Sequence, residues 1–266
     1  MKFGVVGSSG RMGQLLIAQI LKTPEAELVG ASAQPGSSAL GHDAGLLVGA
    51  DPCGVRVSDD PLPMFADADA VLDFTVPEAT VQYAAWAAQG KTVHIIGTTG
   101  LDKDQEEALG RAARHTPIVY AANMSIGINL LLAMVERAAA TVAPDTDIEI
   151  QEIHHRHKVD APSGTALALG KAAAAGREVS LDDVAVFDRH GHTGARPDGA
   201  IGFAALRGGE IVGEHTAMFI GADERLELTH KATNRAIYAE GAVRAALWAY
   251  GKPPRIYGMR EVLGIT

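Results

Sequence analysis

The chain has 266 residues, 47% of them hydrophobic, and a formal net charge of −9 at pH 7. This length allows a substantial buried core, and at roughly 150 residues a domain it favours two domains. The acidic balance argues against a nucleic-acid partner, because phosphate binding needs an excess of Lys and Arg. The single cysteine, Cys53, excludes an internal disulfide and a cysteine zinc site.

The start of the chain gives an expectation about location. The apolar residues from Phe3 to Gly7 form too short a run for a secretory signal, and no run of about 18 apolar residues follows. We therefore expect a soluble, unexported protein of the cytoplasm with no membrane partner.

The first 122 residues alternate short β-type runs with helical patterns, as β-α-β units do. Apolar residues recur at helical spacing from Met12 to Ile20, and a second helix is predicted to open at Pro77 and close at Gly90. The alternation predicts an α/β fold, a Rossmann-like doubly wound parallel sheet with helices on both faces. The predicted strands are residues 2–7, 27–33, 70–75, 92–97 and 117–121.

The pattern changes after Ile126. A long apolar helix to about Val142, a strand from Ile148 to His154 and an Ala-rich helix beginning near Gly164 are predicted in turn. Three extended runs separated by glycine-rich turns follow, and they predict consecutive hairpins in an antiparallel or mixed open sheet. These runs are residues 201–206, 211–220 and 226–232. Residues 234–250 return to helical spacing and are expected to pack on the first domain.

A glycine loop follows the first predicted strand. Gly7, Gly10 and Gly13 stand at G-x-x-G-x-x-G spacing, which differs from the commoner G-x-G-x-x-G. The strand before and the helix after it favour dinucleotide binding over a merely tight turn, because glycines let backbone amides approach a pyrophosphate. The predicted contacts of this loop are Gly7, Ser8, Ser9, Gly10, Arg11 and Met12.

The second predicted strand ends without the acid that usually accepts the adenosine ribose hydroxyls. The segment from Ala31 to Gly36 has Gln34 and neither an acid nor an arginine, although Arg11 can reach toward a 2′-phosphate. The expected cofactor is therefore NADH or NADPH, with no preference between them.

Two more segments stand beyond the carboxyl ends of predicted strands, where open α/β sheets bind ligands. A structural turn is an equally good interpretation of each segment by itself. They are Gly97, Thr98, Thr99 and Gly100 after one strand, and Ala121, Ala122, Asn123 and Met124 after the next.

Five ionisable residues run consecutively after the strand that ends near residue 154. They are His154, His155, Arg156, His157 and Lys158. Strand alternation places His155 and His157 on one face and His154 on the other, and no other ligand cluster is evident, so no metal is predicted. A solvated basic turn is the remaining alternative, because runs of charge usually face water.

The residues that follow favour a functional role for this basic turn. Pro162 and Ser163 before Gly164 and Thr165 indicate a helix start, whose amides and positive dipole end bind carboxylates. A cationic turn beside a helix N-terminus attracts a dianion, and Lys158 with its neighbouring histidines can donate a proton near neutral pH.

The run from Glu152 to Ala166 resembles the signature of the 4-hydroxy-tetrahydrodipicolinate reductase family, also called dihydrodipicolinate reductase. The resemblance extends over almost the whole chain. It includes residues 7–13, 73–75, 97–100, 121–125, 213–215 and 229–232, in the family's order.

This resemblance implies NAD(P)H-dependent reduction of a cyclic dicarboxylate to tetrahydrodipicolinate, in the diaminopimelate route to lysine. It implies a dinucleotide-binding domain of residues 1–125 and 234–266 and a smaller α+β domain of residues 126–233 for substrate binding and assembly into a homotetramer. By position, His154 and Lys158 resemble the catalytic residues, and the substrate contacts are His155, Gly164 and Thr165. The glycine loop, Gln34 and the segments at 97–99 and 121–124 resemble the nucleotide contacts.

Two other functions stay open at this level. Another two-domain NAD(P)-dependent oxidoreductase, such as an amino-acid dehydrogenase, would share the glycine loop but not the segment 158–165. A non-catalytic NAD(H) sensor would need no basic cluster at 154–158. Oxidation of the coenzyme with and without the cyclic substrate separates these functions.

Overall fold

The structure, a computed structural model, describes residues 1–265. The chain divides into two compact units. The first unit is Met1–Ile126 with the C-terminal segment from Arg235, and the second unit is Gly127–Asn234. No helix in the described part of the chain has both the length and the apolar character needed to cross a membrane.

The first unit is built on a seven-stranded parallel sheet with the order β12-β6-β5-β4-β1-β2-β3. The strand order reverses at β1, and open α/β sheets bind ligands at such a reversal. The strands are β1 (Lys2–Val6), β2 (Glu27–Ser32), β3 (Val57–Ser58), β4 (Ala70–Asp73), β5 (Val93–Ile96), β6 (Ile118–Tyr120) and β12 (Ile256–Tyr257).

Helices flank this sheet. Buried Leu16, Ile17 and Ile20 form one face of the first helix, and Phe3, Val5 and Leu72 of the sheet belong to the same apolar core. The helix of residues 236–249 packs on the first helix and on β5, which confirms its predicted return to the first domain. The helices are α1 (Arg11–Lys22), α2 (Leu62–Asp67), α3 (Pro77–Gly90), α4 (Lys103–Ala112), α8 (Ala236–Ala249) and α9 (Met259–Leu263).

The predicted fold class of this unit is confirmed, with strands one or two residues shorter than expected. The helix predicted from Pro77 to Gly90 has those bounds. β3, β12, α2, α4 and α9 were not predicted from the sequence. The two strands have two residues each, too few to show a period-two pattern, and they pair at the two edges of the sheet.

The second unit has a five-stranded mixed sheet with the order β11-β10-β7-β9-β8. The buried face of the sheet carries Ile148, Ile150, Ala217 and Phe219, which share a core with apolar residues of two helices. The elements are α5 (Ile126–Thr141), β7 (Asp147–His154), α6 (Gly164–Gly176), α7 (Leu181–Val184), β8 (Ala185–Val186), β9 (Ile201–Arg207), β10 (Gly213–Ile220) and β11 (Arg225–Ala232).

The strand order corrects one expectation, that of consecutive hairpins. β10 and β11 do form a hairpin, but β9 and β10 are separated by β7, which pairs parallel with β9 and antiparallel with β10. The connection between β9 and β10 passes the end of β7, where the Gly208 amide donates to the His154 carbonyl and the His155 amide donates to the Ile211 carbonyl. Alternation of apolar residues predicts which face of a strand is buried, but not which strand lies beside it.

Candidate functional site

The glycine loop of the first unit joins β1 to α1. Gly10 is the N-cap of α1, and its amide donates to the Gly7 carbonyl at 3.0 Å. A Cβ atom at Gly13 would collide with the Gly7 carbonyl, so the first turn of α1 lies against the loop without any intervening side chain. The loop therefore presents backbone at a helix N-terminus, which is the geometry that binds a pyrophosphate.

A cavity of about 440 Å³ borders this loop. Its wall includes Gly7, Ser9 and Gly10 of the loop and Gln34 after β2, so these predicted contacts meet in one place. Phe74 and Thr75, from the segment after β4, also line it. The volume and the backbone-rich wall are suited to part of a dinucleotide.

Asp59 is a wall residue that sequence reasoning missed. It follows β3 and lines the same cavity as Gln34, whereas the loop after β2 has no acid. β3 pairs with β2, which brings the ends of the two strands together. The signal was the pair Asp59 and Asp60 after a short β-type run, but a two-residue strand is too short to identify from its pattern.

The remaining predicted cofactor residues do not line this cavity. Ser8, Arg11 and Met12 belong to the glycine loop and the first turn of α1, and the others lie beyond the carboxyl ends of β5 and β6. The side chains of Ser8, Thr98 and Met124 are buried, and the Ser8 hydroxyl donates to the Ser32 carbonyl at 2.9 Å. These three residues are therefore available to a ligand mainly through backbone atoms. The other residues of the same segments are Gly97, Thr99, Ala121, Ala122 and Asn123.

A buried carboxylate organises two of the segments around the loop. Asp73 is fully buried at the end of β4, and its Oδ1 accepts from the Thr75 hydroxyl at 2.6 Å and from the Thr98 hydroxyl at 3.3 Å. Its Oδ2 lies 3.2 Å from Nε2 of His94 on β5. Burial acts to raise the pKa of Asp73, but His94 and the threonine hydroxyls hold it below its ordinary value.

In the second unit, Glu152 is the centre of a buried polar cluster. Its carboxylate accepts from two nitrogens of Arg207 at 2.7 and 2.8 Å, from Nδ1 of His154 at 2.6 Å and from the Ser163 amide at 3.0 Å. Burial acts to raise the pKa of Glu152, but these donors hold it below its ordinary value, so the carboxylate is ionised at neutral pH. Alternation along β7 places Glu152 and His154 on the buried face, at the end of the apolar row.

His154 is held as a neutral imidazole. Burial lowers its pKa and the positive charges of Lys158 and Arg207 lower it further, although Glu152 acts in the opposite direction. Because the ionised carboxylate can only accept, Nδ1 of His154 carries the proton and Nε2 keeps its lone pair. This tautomer suits a group that takes up or passes on a proton.

The turn after β7 carries the cationic side chains of Arg156 and Lys158. Lys158 is 20% exposed, and its Nζ lies 2.8 Å from Oδ1 of Asp160. The Lys158 amide donates to the His155 carbonyl, and the Arg156 amide donates to the Gly209 carbonyl, so the turn is tied to the connection between β9 and β10. Lys158 is thereby held close to the end of β7 instead of extending freely into water.

The predicted helix start is confirmed. Ser163 is the N-cap of α6, and its hydroxyl accepts from the Ala166 amide at 3.2 Å. Gly164 and Thr165 are the first two residues of the helix, at the positive end of its dipole. Because the Ser163 amide donates to Glu152, the helix start lies beside the cluster that contains His154.

The histidines of the basic turn are grouped as expected, with His155 near His157 and His154 apart from them, although the strand does not continue past His154. β7 ends at His154, and the rings of His155 and His157 lie 6.2 Å apart in the turn, while the ring of His154 lies 5.1 Å from His215 on β10. Across residues 1–265, no three His, Cys, Asp or Glu side chains are grouped in a way that could hold a metal ion.

Arg207 and His215 are two residues of this cluster that were not predicted from the sequence. Arg207 lies 55 residues beyond Glu152 and His215 lies 61 residues beyond His154, and these are the residues with which they pack. Their sequence signals were weak: Arg207 directly follows the extended run 201–206, and His215 lies within the run 211–220, in the segment 213–215 that resembles the family.

Comparisons with known proteins agree along the whole chain. Residues 1–124 match the family model described as dihydrodipicolinate reductase, N-terminus, and residues 127–263 match the C-terminus model of the same family. The chain belongs to the dihydrodipicolinate reductase family. The two matched ranges meet within three residues of the boundary between the compact units at Ile126 and Gly127.

Named relatives within the dihydrodipicolinate reductase family are similar over their full lengths. The 4-hydroxy-tetrahydrodipicolinate reductase of Methylocella silvestris is 55% identical over 100% of this chain and 97% of its own. That of Brucella abortus strain 2308 is 54% identical over 98% of both chains. The solved dipicolinate-bound dihydrodipicolinate reductase from Paenisporosarcina sp. TG-14 has the same fold, with a TM-score of 0.78 over 98% of each chain at 24% identity.

Proposed function

We propose that this chain is an NAD(P)H-dependent oxidoreductase that reduces 4-hydroxy-tetrahydrodipicolinate, by way of dihydrodipicolinate, to tetrahydrodipicolinate in the diaminopimelate route to lysine. The observation that carries the proposal is the match to relatives of that name at 55% identity over the whole chain. The geometry supports it, because one unit has a cavity suited to a dinucleotide and the other has an acid/base histidine beside a cationic turn.

The coenzyme, when bound, supplies a hydride to ring carbon 4 of the substrate. The backbone at the start of α1 holds its pyrophosphate, and the loops after β2, β5 and β6 contact its other parts. The residues proposed for this task are Gly7, Ser8, Ser9, Gly10, Arg11, Met12, Gln34, Gly97, Thr98, Thr99, Ala121, Ala122, Asn123 and Met124.

The substrate carboxylates are proposed to bind His155, Gly164 and Thr165. The start of α6 offers the positive end of a dipole, and the basic turn adds cationic charge in an otherwise acidic chain. The relative from Paenisporosarcina was solved with dipicolinate, which is a cyclic dicarboxylate like the proposed substrate.

His154 is proposed as the acid/base residue and Lys158 as the proton donor. Reduction of the ring adds one hydride from the coenzyme and one proton at the adjacent carbon, so the protein must supply a proton at a defined place. Lys158 is cationic and restrained by Asp160, while the lone pair at Nε2 of His154 can receive and return a proton.

The proposal includes the roles of the two units. Residues 1–125 with 234–266 bind the dinucleotide, and residues 126–233 bind the substrate and form the contacts of a homotetramer. We place the enzyme in the cytoplasm, where the reduced coenzymes and the other steps of amino-acid biosynthesis are found.

The test measures the loss of absorbance of NADH and NADPH with the purified chain, with and without freshly prepared cyclic substrate. We expect oxidation that depends on the cyclic substrate and is strongly reduced by His154→Asn. The matched control is His157→Asn, a solvent-exposed histidine three residues away, which should keep the activity.

Other outcomes would favour the two competing functions. Coenzyme oxidation with amino or keto acids but not with the cyclic dicarboxylate would indicate a different dehydrogenase. Tight coenzyme binding without oxidation of either coenzyme by any substrate would indicate a sensor.

A further inference from the structure

His215 is a buried histidine that the proposed reaction does not use. It lies on β10 directly opposite Glu152 of β7 and is 4% exposed. Its Nε2 lies 3.0 Å from the Ser163 hydroxyl, and its ring packs edge-to-face on His154, with the centroids 5.1 Å apart and an angle of 76° between the planes. One side chain therefore touches both the cap of α6 and the acid/base residue.

Burial is the main reason that His215 is neutral. Burial lowers its pKa to about 4, His154, His230 and Lys158 lower it as well, and Glu152 opposes them. A neutral imidazole has one N–H and one lone pair, and the Nε2 position is engaged by Ser163. Nδ1 is buried and finds no hydrogen-bond partner among the described residues. The ring is thus a fixed polar spacer and not a second cation.

Gly213, the first residue of β10, lies next to the ring of His154. A Cβ atom at Gly213 would stand 3.0 Å from Nε2 of His154. Nε2 therefore faces a place without a side chain, and the adjacent ring of His215 limits how far the imidazole of His154 can rotate. Glu152 holds His154 at Nδ1, and His215 holds the ring from the side.

The same ring determines the position of the helix start. The Ser163 hydroxyl meets both the Ala166 amide and His215, while the Ser163 amide donates to Glu152. Capping bonds of this type fix the first turn of a helix, where Gly164 and Thr165 lie. A shift of Ser163 would move the end that is proposed to bind a carboxylate.

We propose that His215 is a positioning residue that holds the acid/base histidine and the carboxylate-binding start of α6 in register. This inference rests on the proposed function and extends it, since it assigns to one side chain the alignment of the reacting ring carbon with the bound carboxylate. A misplacement of about 1 Å between such groups is enough to reduce turnover strongly.

Two substitutions separate the two contacts. His215→Phe keeps a ring beside His154 but cannot bond to Ser163, whereas His215→Gln places an amide nitrogen near the Nε2 position and removes the ring. We expect His215→Phe to raise the substrate KM and the Kd of dipicolinate about tenfold, the usual value of one buried hydrogen bond, with kcat less affected. We expect His215→Gln to keep the dipicolinate Kd within about threefold and to lower kcat about tenfold or more.

His230→Phe is the matched control. His230 lies opposite His215 on β11, is partly buried, and has an Nδ1 without a hydrogen-bond partner in the described chain, but it does not contact Ser163 through any observed bond. We expect the control to change the dipicolinate Kd and kcat by less than about threefold. Ser163→Ala removes the same bond from the other end and should raise the dipicolinate Kd as His215→Phe does, so the inference stays testable if the latter fails to fold.

The results also separate this inference from the proposed function. Dipicolinate binding by calorimetry requires no turnover, so a wild-type chain that binds dipicolinate but reduces no substrate would contradict the proposed function and leave the role of His215 to the variants. Wild-type Kd values in both His215→Phe and Ser163→Ala overturn the inference. Equal effects of His215→Phe, His215→Gln and His230→Phe on kcat and KM also overturn it, because they indicate a general packing defect. A wild-type chain that does not bind dipicolinate overturns both.

Discussion

The carboxylate of Glu152 lies 2.6 Å from Nδ1 of His154 and is bound at the same time by two nitrogens of Arg207. The arginine keeps the carboxylate ionised, and the carboxylate keeps the proton of His154 on Nδ1. The Nε2 lone pair of His154 therefore faces Gly213, where no side chain stands, in an orientation set by Glu152 and Arg207.

Glu152→Gln should lower kcat about tenfold to a hundredfold, because an amide can donate to Nδ1 and so permits the other tautomer. Glu149→Gln is the matched control: Glu149 is also an arginine-paired carboxylate of β7, bound by Arg189 and Arg196, but it lies on the opposite face of the strand. The measurements are kcat and thermal unfolding of both variants. Wild-type kcat in Glu152→Gln would show that this carboxylate does not control His154.

Stability should fall as the pH drops from 6.5 toward 4. The pKa of His215 is lowered from 6.5 to about 4, so between these values the unfolded chain binds a proton that the folded chain does not. The free energy of unfolding then decreases with falling pH, by about 3 kcal/mol for this one group. The lowered pKa values of His154 and His230 act in the same direction.

Urea unfolding of the wild type and of His215→Phe at several pH values checks this contribution. The phenylalanine variant should lose less stability between pH 6.5 and 4, because it has no proton to take up at this position. Parallel pH dependences in the two proteins would be inconsistent with a neutral buried His215.

Lys158→Ala should lose most of its turnover, by a factor of about a hundred or more, while the chain stays folded. The pair of Lys158 with Asp160 is partly exposed and contributes about 1 kcal/mol or less to stability. Lys2→Ala is the control, since it breaks a comparable exposed pair with Asp67 in the first unit. Activity measured beside thermal unfolding decides the matter, and near wild-type turnover in Lys158→Ala would remove this lysine from the mechanism.

Gly10→Asp should weaken the binding of NADH and NADPH together without unfolding the chain. Gly10 is an N-cap residue in extended backbone, where aspartate is a favoured residue type and its Cβ would stand 3.3 Å from the Gly7 carbonyl oxygen, but its charge would repel a pyrophosphate at the same helix start. Gly10→Asn has nearly the same shape and no charge, so it should bind both coenzymes more tightly than Gly10→Asp. Titration by fluorescence of the reduced nicotinamide measures this difference, and equal affinities in the two variants would contradict the loop assignment.

The values of kcat/KM with NADH and with NADPH should differ by no more than roughly tenfold. The loop after β2 has Gln34 in place of an acid, and Asp59, which lines the same cavity, is exposed to water, which screens its charge. A buried charge-assisted contact to one coenzyme would instead give a preference of about tenfold to a hundredfold for that coenzyme. The measurement is kcat/KM with each coenzyme.

Three variants identify the residues that set this ratio. Gln34→Glu should shift the ratio toward NADH, Asp59→Asn should shift it toward NADPH, and Arg11→Ala should raise the KM for NADPH alone. A wild-type preference above about a hundredfold, unaffected by all three substitutions, would place the determinant elsewhere.

Local sequence patterns were sufficient to predict many of the elements of this protein. Alternating strands and helices predicted the parallel sheet, the spacing of Gly7, Gly10 and Gly13 predicted the loop before α1, and Ser163 predicted the start of α6. These features depend on neighbours within a few residues, since periodicity, capping and tight turns are properties of short segments. The basic run after β7 was visible for the same reason.

The tertiary structure decided what lies beside these segments. β7 lies between β9 and β10, and Asp59 lines the same cavity as Gln34. Glu152 binds Arg207, which is 55 residues away in the sequence. Ser163 contacts His215, which is 52 residues away in the sequence. Alternation of apolar residues predicts which face of a strand is buried. The order of the strands depends on how whole faces of the sheet and helices pack together. That packing determines which partner each buried polar group has.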